Sequence, residues 1–277
     1  KASISSTGVM TATSFAGSGA ALTGVGVAGI SSSADATAIT IDSAENVGFG
    51  VTPTSFYSGY TGVQVGGNGT FYGQTAAGAS NNFWVGQNVR AGTDGSEKAI
   101  TTGVSSQMMQ SGGQIVFKTA PSANADANVS WTTAMTIDNN GYVTKGVHPN
   151  FFAYSNSGNV AYGSGAEIAL QLENTSCPHF STSTGRFTAP VAGFYHFETG
   201  IYSYSDAKEF SIKKNGSDVI IGGDTRGIAM AQDAGVVVVN VLSINLAAND
   251  YVSIGFRAGA SGNIYGQHTW FSGYLVG

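Results

Sequence analysis

Apolar and polar residues alternate with a period of two through much of the second half of the chain. That is the spacing at which an extended strand points its side chains to opposite faces. The clearest run is Gly193-Phe-Tyr-His-Phe-Glu-Thr-Gly-Ile-Tyr202, and the same pattern predicts strands over residues 151–154, 167–172, 185–189, 194–202, 209–214, 218–221, 235–246, 251–257 and 269–276. Asn215-Gly216 sits between two such runs and predicts a tight hairpin, because a type I′ turn needs positive φ at both central positions. Long antiparallel strands joined by turns predict a jelly-roll sandwich. Before Val147 the runs are shorter and broken by Gly and Asn. Residues 51–146 still hold Phe56, Tyr57, Tyr60, Phe71, Tyr72, Phe83, Trp84, Phe117 and Trp131, enough for a small β module. Residues 1–32 have few large core candidates, Met10 and Phe15 foremost, so one chain cannot bury a core there and partner chains are expected.

One internal repeat stands out. Thr37-Ala-Ile-Thr-Ile-Asp42, followed by Val47, returns as Thr133-Ala-Met-Thr-Ile-Asp138, followed by Val143, at an offset of 96 residues. Each copy reads as a strand, a four-residue polar turn and a returning strand, so both should form the same hairpin in the same register. The expected class is therefore all-β, with repetitive β-hairpin stalk modules followed by a C-terminal jelly-roll sandwich, the whole trimeric. The expected domains are a β-rich trimeric stalk segment (1–50), a β shaft module ending in the repeat hairpin (51–146) and a jelly-roll head (147–277).

Composition narrows the partners. With 40 Gly among 277 residues and only 10 % charged residues, helices laced with ion pairs are excluded. A net charge of −5 argues against nucleic acid, whose phosphates demand clustered cations; Lys213-Lys214 is the one basic pair. A single cysteine, Cys177, cannot form an intrachain disulfide, and the apolar run Val236 to Val239 is far too short to span a membrane. Lys1 is neither an initiator Met nor part of an apolar leader, so further chain is expected before it.

Most candidate chemistry reads better as structure. Gly24-Val-Gly-Val-Ala-Gly29 matches a dinucleotide fingerprint, but no amphipathic helix follows, and no cofactor is expected. Cys177-Pro-His179 offers two soft ligands where zinc needs three or four, and His148, His196 and His268 lie far off in sequence, so no metal is expected. Glycan hydrolysis needs paired carboxylates. Asp42 and Glu45 are three apart, but the second repeat has Asp138 and Gly141 at those places, which points to turn chemistry. Asp206 with Glu209, and Asp224 with Asp233, are the other pairs, and His196 alternates within a strand. No catalytic residues are assigned.

Phe151-Phe-Ala153, Gly185-Arg-Phe187-Thr-Ala-Pro190-Val-Ala-Gly193-Phe-Tyr195-His-Phe197, Lys214-Asn-Gly216, Leu246 with Asn249-Asp250-Tyr-Val252, and Phe271-Ser-Gly-Tyr-Leu275 together resemble the globular heads of the complement C1q and tumour necrosis factor superfamily. The resemblance covers about 130 residues and implies a ten-stranded jelly roll in a tight trimer. One departure is Asn249-Asp250, where the family more often has Gly-Asp. The first half, with Thr11-Ala-Thr-Ser-Phe15 and Ala134-Met-Thr-Ile-Asp138-Asn-Asn-Gly-Tyr-Val143, is similar to the trimeric fibre proteins of tailed bacteriophages. These resemblances imply a non-enzymatic fibre tip on the virion, extracellular, that binds a host-surface glycan or protein and joins other tail proteins through the chain before Lys1. A polysaccharide depolymerase and a bacterial surface adhesin or purely structural fibre are the rival classes.

Phe151, Phe152, Phe271 and Tyr274, from the first and last head strands, are expected at the trimer contacts. Strand alternation places three loops at one end of the head, over residues 203–207, 222–234 and 258–268, with the turns at 215–216 and 247–250 at the other. The first set carries the expected receptor contacts: Tyr204, Asp206, Asp224, Arg226, Gln232, Asp233, Asn263, Tyr265 and His268.

Overall fold

A computed structural model of the chain describes residues 3–4, 10–11, 38–76, 78, 82–204, 208–219, 228–231 and 234–277. The glycine motif at 24–29, Asp206, Asp224, Arg226, Gln232 and Asp233 lie outside the described residues, as does most of the expected 1–50 segment. The described chain is all-β apart from one 3₁₀ turn, and among these residues no helix is long and apolar enough to cross a membrane. It forms two compact units, residues 1–107 with 121–130, and residues 108–120 with 131–277.

In the first unit, β1 (Ser3–Ile4) pairs with β2 (Met10–Thr11). A sheet then runs in the order β7 (Phe83–Gln87), β6 (Gly69–Gln74), β5 (Tyr60–Val65), β4 (Val47–Phe49), β3 (Ile39–Ile41), antiparallel throughout except for the parallel β4–β5 pair. The short strands β8 (Arg90–Ala91) and β9 (Glu97–Lys98) pair with each other. Tyr72 and Trp84 stack at 4.9 Å beneath the sheet, with Phe56 against Tyr72. Buried polar groups take part in this core, and two of them bond extensively within it. Gln107 Nε2 donates to Tyr72 Oη and to Glu97 Oε1, both at 2.7 Å, and Asn88, at φ 57°, donates to the carbonyls of Thr101 and Val104.

Next come β10 (Gly103–Ser111), β11 (Gln114–Ala123), β12 (Thr132–Ile137) and β13 (Val143–Thr144). The two repeat hairpins are the same object. Ile41 pairs with Val47 as Ile137 pairs with Val143, and Thr40 with Gly48 as Thr136 with Thr144. In each turn the aspartate caps two backbone amides: Asp42 Oδ1 accepts from Ala44 and Asn46, and Asp138 Oδ1 from Asn140 and Tyr142. The fourth residue takes positive φ in both, Glu45 at 65° and Gly141 at 86°. Asp42 and Glu45 are thus a turn, as the mismatch between copies suggested. The Asn46 side chain, ahead of its backbone amide, holds the Asp42 carboxyl below its ordinary range.

The head is a two-sheet sandwich. Its strands are β14 (Asn150–Tyr154), β15 (Asn159–Tyr162), β16 (Leu172–Glu173), β17 (Phe180–Ser181), β18 (Arg186–Thr188), β19 (Gly193–Ser203), β20 (Lys208–Lys214), β21 (Ser217–Asp218), β22 (Ile228–Ala231), β23 (Val236–Leu246), β24 (Tyr251–Phe256), β25 (Gly262–Tyr265) and β26 (Trp270–Leu275), with the 3₁₀ turn at Gly266–His268. One sheet runs β23, β19, β26, β14, β16, with β25 and β15 added at the end of β19; the other runs β17, β18, β24, β20, β21, with β22 on β20. Between them lie Phe151, Phe187, Tyr195, Phe197, Ile201, Phe210, Ile212, Ile254, Phe256 and Phe271, all but fully buried.

The expected strand at 167–172 is largely irregular: only a single bridge, Glu167 to Gly255, precedes β16. The chain packs there against Gly185, where a side-chain carbon would fall 2.2 Å from the Ile168 carbonyl oxygen, so close packing displaces ladder pairing. Strands β15, β17, β22 and β25 were not signalled by alternation. The Asn215-Gly216 turn forms as expected, at φ 52° and 79°. Asn215 Nδ2 donates to Asp250 Oδ1, and Lys214 and Asn215 together hold the Asp250 carboxyl at about 2. Asn249, where the family more often has Gly, sits at φ 70°. Replacing it with Gly should leave the melting temperature unchanged or slightly higher. Asn249→Val should cost about 1–2 kcal/mol in a denaturant melt, because β-branched residues resist the left-handed region.

Candidate functional site

The loops expected to cluster do come together where they are described. Tyr204 N donates to the Asn263 carbonyl at 3.0 Å, and Gly235 N to the Ser203 carbonyl at 2.8 Å. The turns at 215–216 and 247–250 meet at the opposite end of β20 through Asn215 and Asp250. At the loop end, Tyr204 stacks on Tyr265 at 6.0 Å, Tyr265 on His268 at 5.4 Å, and Tyr202 closes on both at 5.9 and 5.4 Å. Tyr204 is half exposed and His268 exposed. Tyr265 Oη donates to Gln267 Oε1 at 3.0 Å, fixing the ring while leaving lone pairs free to accept. The result is a four-ring cluster, partly open to solvent, with flat apolar faces and polar rims. Of the expected contacts, Tyr204, Asn263, Tyr265 and His268 are brought to this end of the head. Tyr202 and Gln267 were missed. Tyr202 ends the strand expected over 194–202, and the period of two puts it on the outer face at the loop end of β19.

The outer face of the β23–β19–β26–β14 sheet is the second surface. Phe151 and Phe271 point inward and are buried, at 3 % and 0 % exposure, whereas Phe152 and Tyr274 point outward and are exposed. They share that face with Phe194, Val237, Val239 and Val241, and with Trp270, which stacks on Phe152 at 6.0 Å. The valines were legible in the run Val236 to Val239, since consecutive strand residues cannot all face one core.

Ser243, His196 and Glu198 lie on the same face. His196 Nδ1 is 2.8 Å from Ser243 Oγ, and Nε2 is 3.0 Å from Glu198 Oε1, the order of contacts found in a nucleophilic triad. Here they sit on a regular ladder, with β19 paired on one side to β23 and on the other to β26. Backbone N–H groups committed to that ladder are not left to stabilise an oxyanion, so the arrangement is a polar cross-strand contact. Of the carboxylates considered for hydrolysis, Glu209 is paired with Arg257 at 2.8 Å.

Cys177 and His179 line a cavity of about 240 Å³, and the fold brings His148 to the same cavity despite its distance in sequence. Burial, ahead of smaller contributions, raises the Cys177 thiol. Among the described residues no group of three or more His, Cys, Asp or Glu could hold a metal ion.

The head is a two-sheet jelly roll with one apolar outer face and a cluster of rings at its loop end. The family whose description is C1q domain matches residues 169–276, and this part of the chain is a C1q-like domain. The solved globular domain of zebrafish complement 1qA protein is 21 % identical, over 47 % of this chain and 98 % of its own, with a TM-score of 0.39. The Eiger TNF of S. frugiperda is 15 % identical, over 47 % and 93 %, also with a TM-score of 0.39. No curated protein matches the chain.

Proposed function

We propose that this chain is the non-enzymatic receptor-binding tip of a trimeric fibre of the kind carried by tailed bacteriophages, acting outside the cell as part of the virion. The ring cluster of Tyr202, Tyr204, Tyr265 and His268 would take a glycan of a bacterial surface. That cluster carries the reading: rings partly open to solvent at the loop end of the head, with flat faces and hydrogen-bonding rims, match the alternating C–H and O–H surfaces of a sugar. Assembly is supported by the apolar outer face of the head, where Phe152, Tyr274 and the three valines are exposed beside the partly buried Trp270.

The purified chain should sediment at about 85 kDa, three copies of 28.2 kDa, and bind arrayed bacterial surface polysaccharides without releasing reducing sugar. A monodisperse 28 kDa species at micromolar concentration would overturn the assembly. Release of reducing sugar would make the chain a depolymerase instead. Capsid and tail genes beside its own gene would be expected, and their absence counts against the virion.

A further inference from the structure

The sheet of the first unit is apolar on both sides. Its inward side holds the Tyr72–Trp84 stack together with Gln64 and Thr70, all buried, with Gln64 Oε1 accepting from Thr54 N and Thr70 Oγ1 donating to the Val89 carbonyl. The outward side is apolar as well. Register places Ile41 opposite Val47, Val47 opposite Val63, Val63 opposite Phe71 and Phe71 opposite Val85, one unbroken line across β3 to β7. A second line, Ile39, Phe49 and Val65, runs beside it, and Phe83 flanks Phe71. None of these side chains is buried, and Ile41 is 68 % exposed. An antiparallel sheet with one face in water is apolar within and polar without, and here the outer side is apolar too.

Ile39, Ile41, Phe49, Val65, Phe71 and Phe83 are each roughly half exposed. At ~150–250 Å² per large side chain they leave on the order of 600 Å² open. That is the upper end of the largest patch on a monomer, roughly 300–600 Å², and it approaches the ~800 Å² each partner gives to a stable complex. We propose that this face is an interface between copies of this chain, separate in sequence from the outer face of the head. Strands β3 to β7 contain no Asp, Glu, Lys or Arg. In a symmetric assembly each side chain approaches its own copies, so a charge on the face would meet itself, and this face has none to repel. A foreign partner is selected by complementary charge, which this face does not offer. The chain's own residues 12–37 carry only Phe15, Leu22 and Ile30 as apolar side chains larger than Val, too few to fill two lines.

The inference rests on reading the chain as self-associating, and sedimentation of full-length variants separates the two. In V239D/V241D the head's outer face is charged at two exposed positions, and the chain should remain associated at micromolar concentration through the first unit. Adding V65D and F71D should then give a 28 kDa monomer with an unchanged far-ultraviolet spectrum. If those aspartates unfold the chain, V65T/F71T, which keeps strand-forming residues, should still weaken association of V239D/V241D by roughly tenfold or more. A folded V239D/V241D that is already monomeric overturns the inference and leaves the trimer standing. An oligomer that survives all four aspartates also overturns it. If V239D/V241D is monomeric and associates only after residues 1–37 are deleted, that segment covers the face and the proposal falls. A monomeric wild type overturns both readings.

Discussion

Replacing Tyr204, Tyr265 and His268 together with Ala should abolish attachment to the surface glycan while leaving assembly mass and melting temperature unchanged. Tyr204 and Tyr265 form one stack and Tyr265 and His268 another, so the triple variant removes three of the four rings at once and leaves only Tyr202. Aromatic contacts at the centre of an interface commonly contribute ~1–2 kcal/mol or more each. Losing three should therefore lower affinity by about 10²–10⁴. The cost to folding should stay within roughly 1 kcal/mol, because Tyr204, Tyr265 at the end of β25 and His268 in the 3₁₀ turn all lie outside the buried core of the sandwich. Tyr142→Ala is the matched control: its ring is 71 % exposed in the second repeat turn and belongs to no part of the cluster. Surface plasmon resonance on immobilised polysaccharide, beside sedimentation of the same samples, reads both effects. Unaltered binding by a correctly assembled triple variant would move the receptor site to the sides of the head or to the aromatic module within residues 51–146.

That cluster was half legible in the sequence, for a physical reason. Alternation over 193–202 and 235–246 yielded β19 and β23, and counting strands put the loops at 203–207 and 258–268 at the same end. Tyr204, Asn263, Tyr265 and His268 follow from that count. What pulls Tyr202 and Gln267 into the group is the 3₁₀ turn at Gly266–His268. No period announces it, because Gly266 is shaped by close packing: a side-chain carbon there would lie 2.7 Å from Ser155 Oγ.

The repeat was legible for the opposite reason. An Asp that caps its own turn is local chemistry, so equal sequence at 42 and 138 gave equal hairpins. The aromatic pairs show where one dimension runs out. Phe151 and Phe152 are adjacent and equally apolar, and parity alone decides that one is core and the other surface. Parity can be assigned only once a strand's partners are known: Phe151 faces the second sheet because β14 pairs with β26, whose Phe271 it meets at 4.9 Å.

A second large effect is expected away from either surface. Asp218→Ala should cost the head about 3–5 kcal/mol, the usual penalty for stranding one partner of a buried ion pair. Lys213 and Asp218 have side chains only 3 % and 11 % exposed, with Nζ to Oδ1 at 2.5 Å. The lysine stem passes over Gly255, where an added side-chain carbon would lie 3.0 Å from Lys213 Cε. Asp218 Oδ1 also accepts from Ser211 Oγ at 2.6 Å, and Oδ2 from Ala258 N at 2.9 Å, so one carboxylate joins β20, β21 and the loop after β24. In the Arg90–Asp126 pair the carboxylate is 75 % exposed, so Asp126→Asn, which keeps a residue suited to φ 60°, should cost less than ~1 kcal/mol and serves as the contrast. Burial works against ionising Asp218, but the bonds from Ala258, Lys213 and Ser211 outweigh it and hold the carboxyl below its ordinary 3.8. With the folded value depressed, its contribution is complete above about pH 4 and is lost as the pH falls through the folded value. Melting curves of wild type and Asp218→Ala should therefore be far apart at pH 7 and converge in strong acid. The double change Lys213→Met with Asp218→Ala should recover much of the loss, because no uncompensated ammonium remains in the core. If Asp218→Ala melts within about 1 kcal/mol of wild type at pH 7, water reaches Lys213 and the pair is not a structural link of the head.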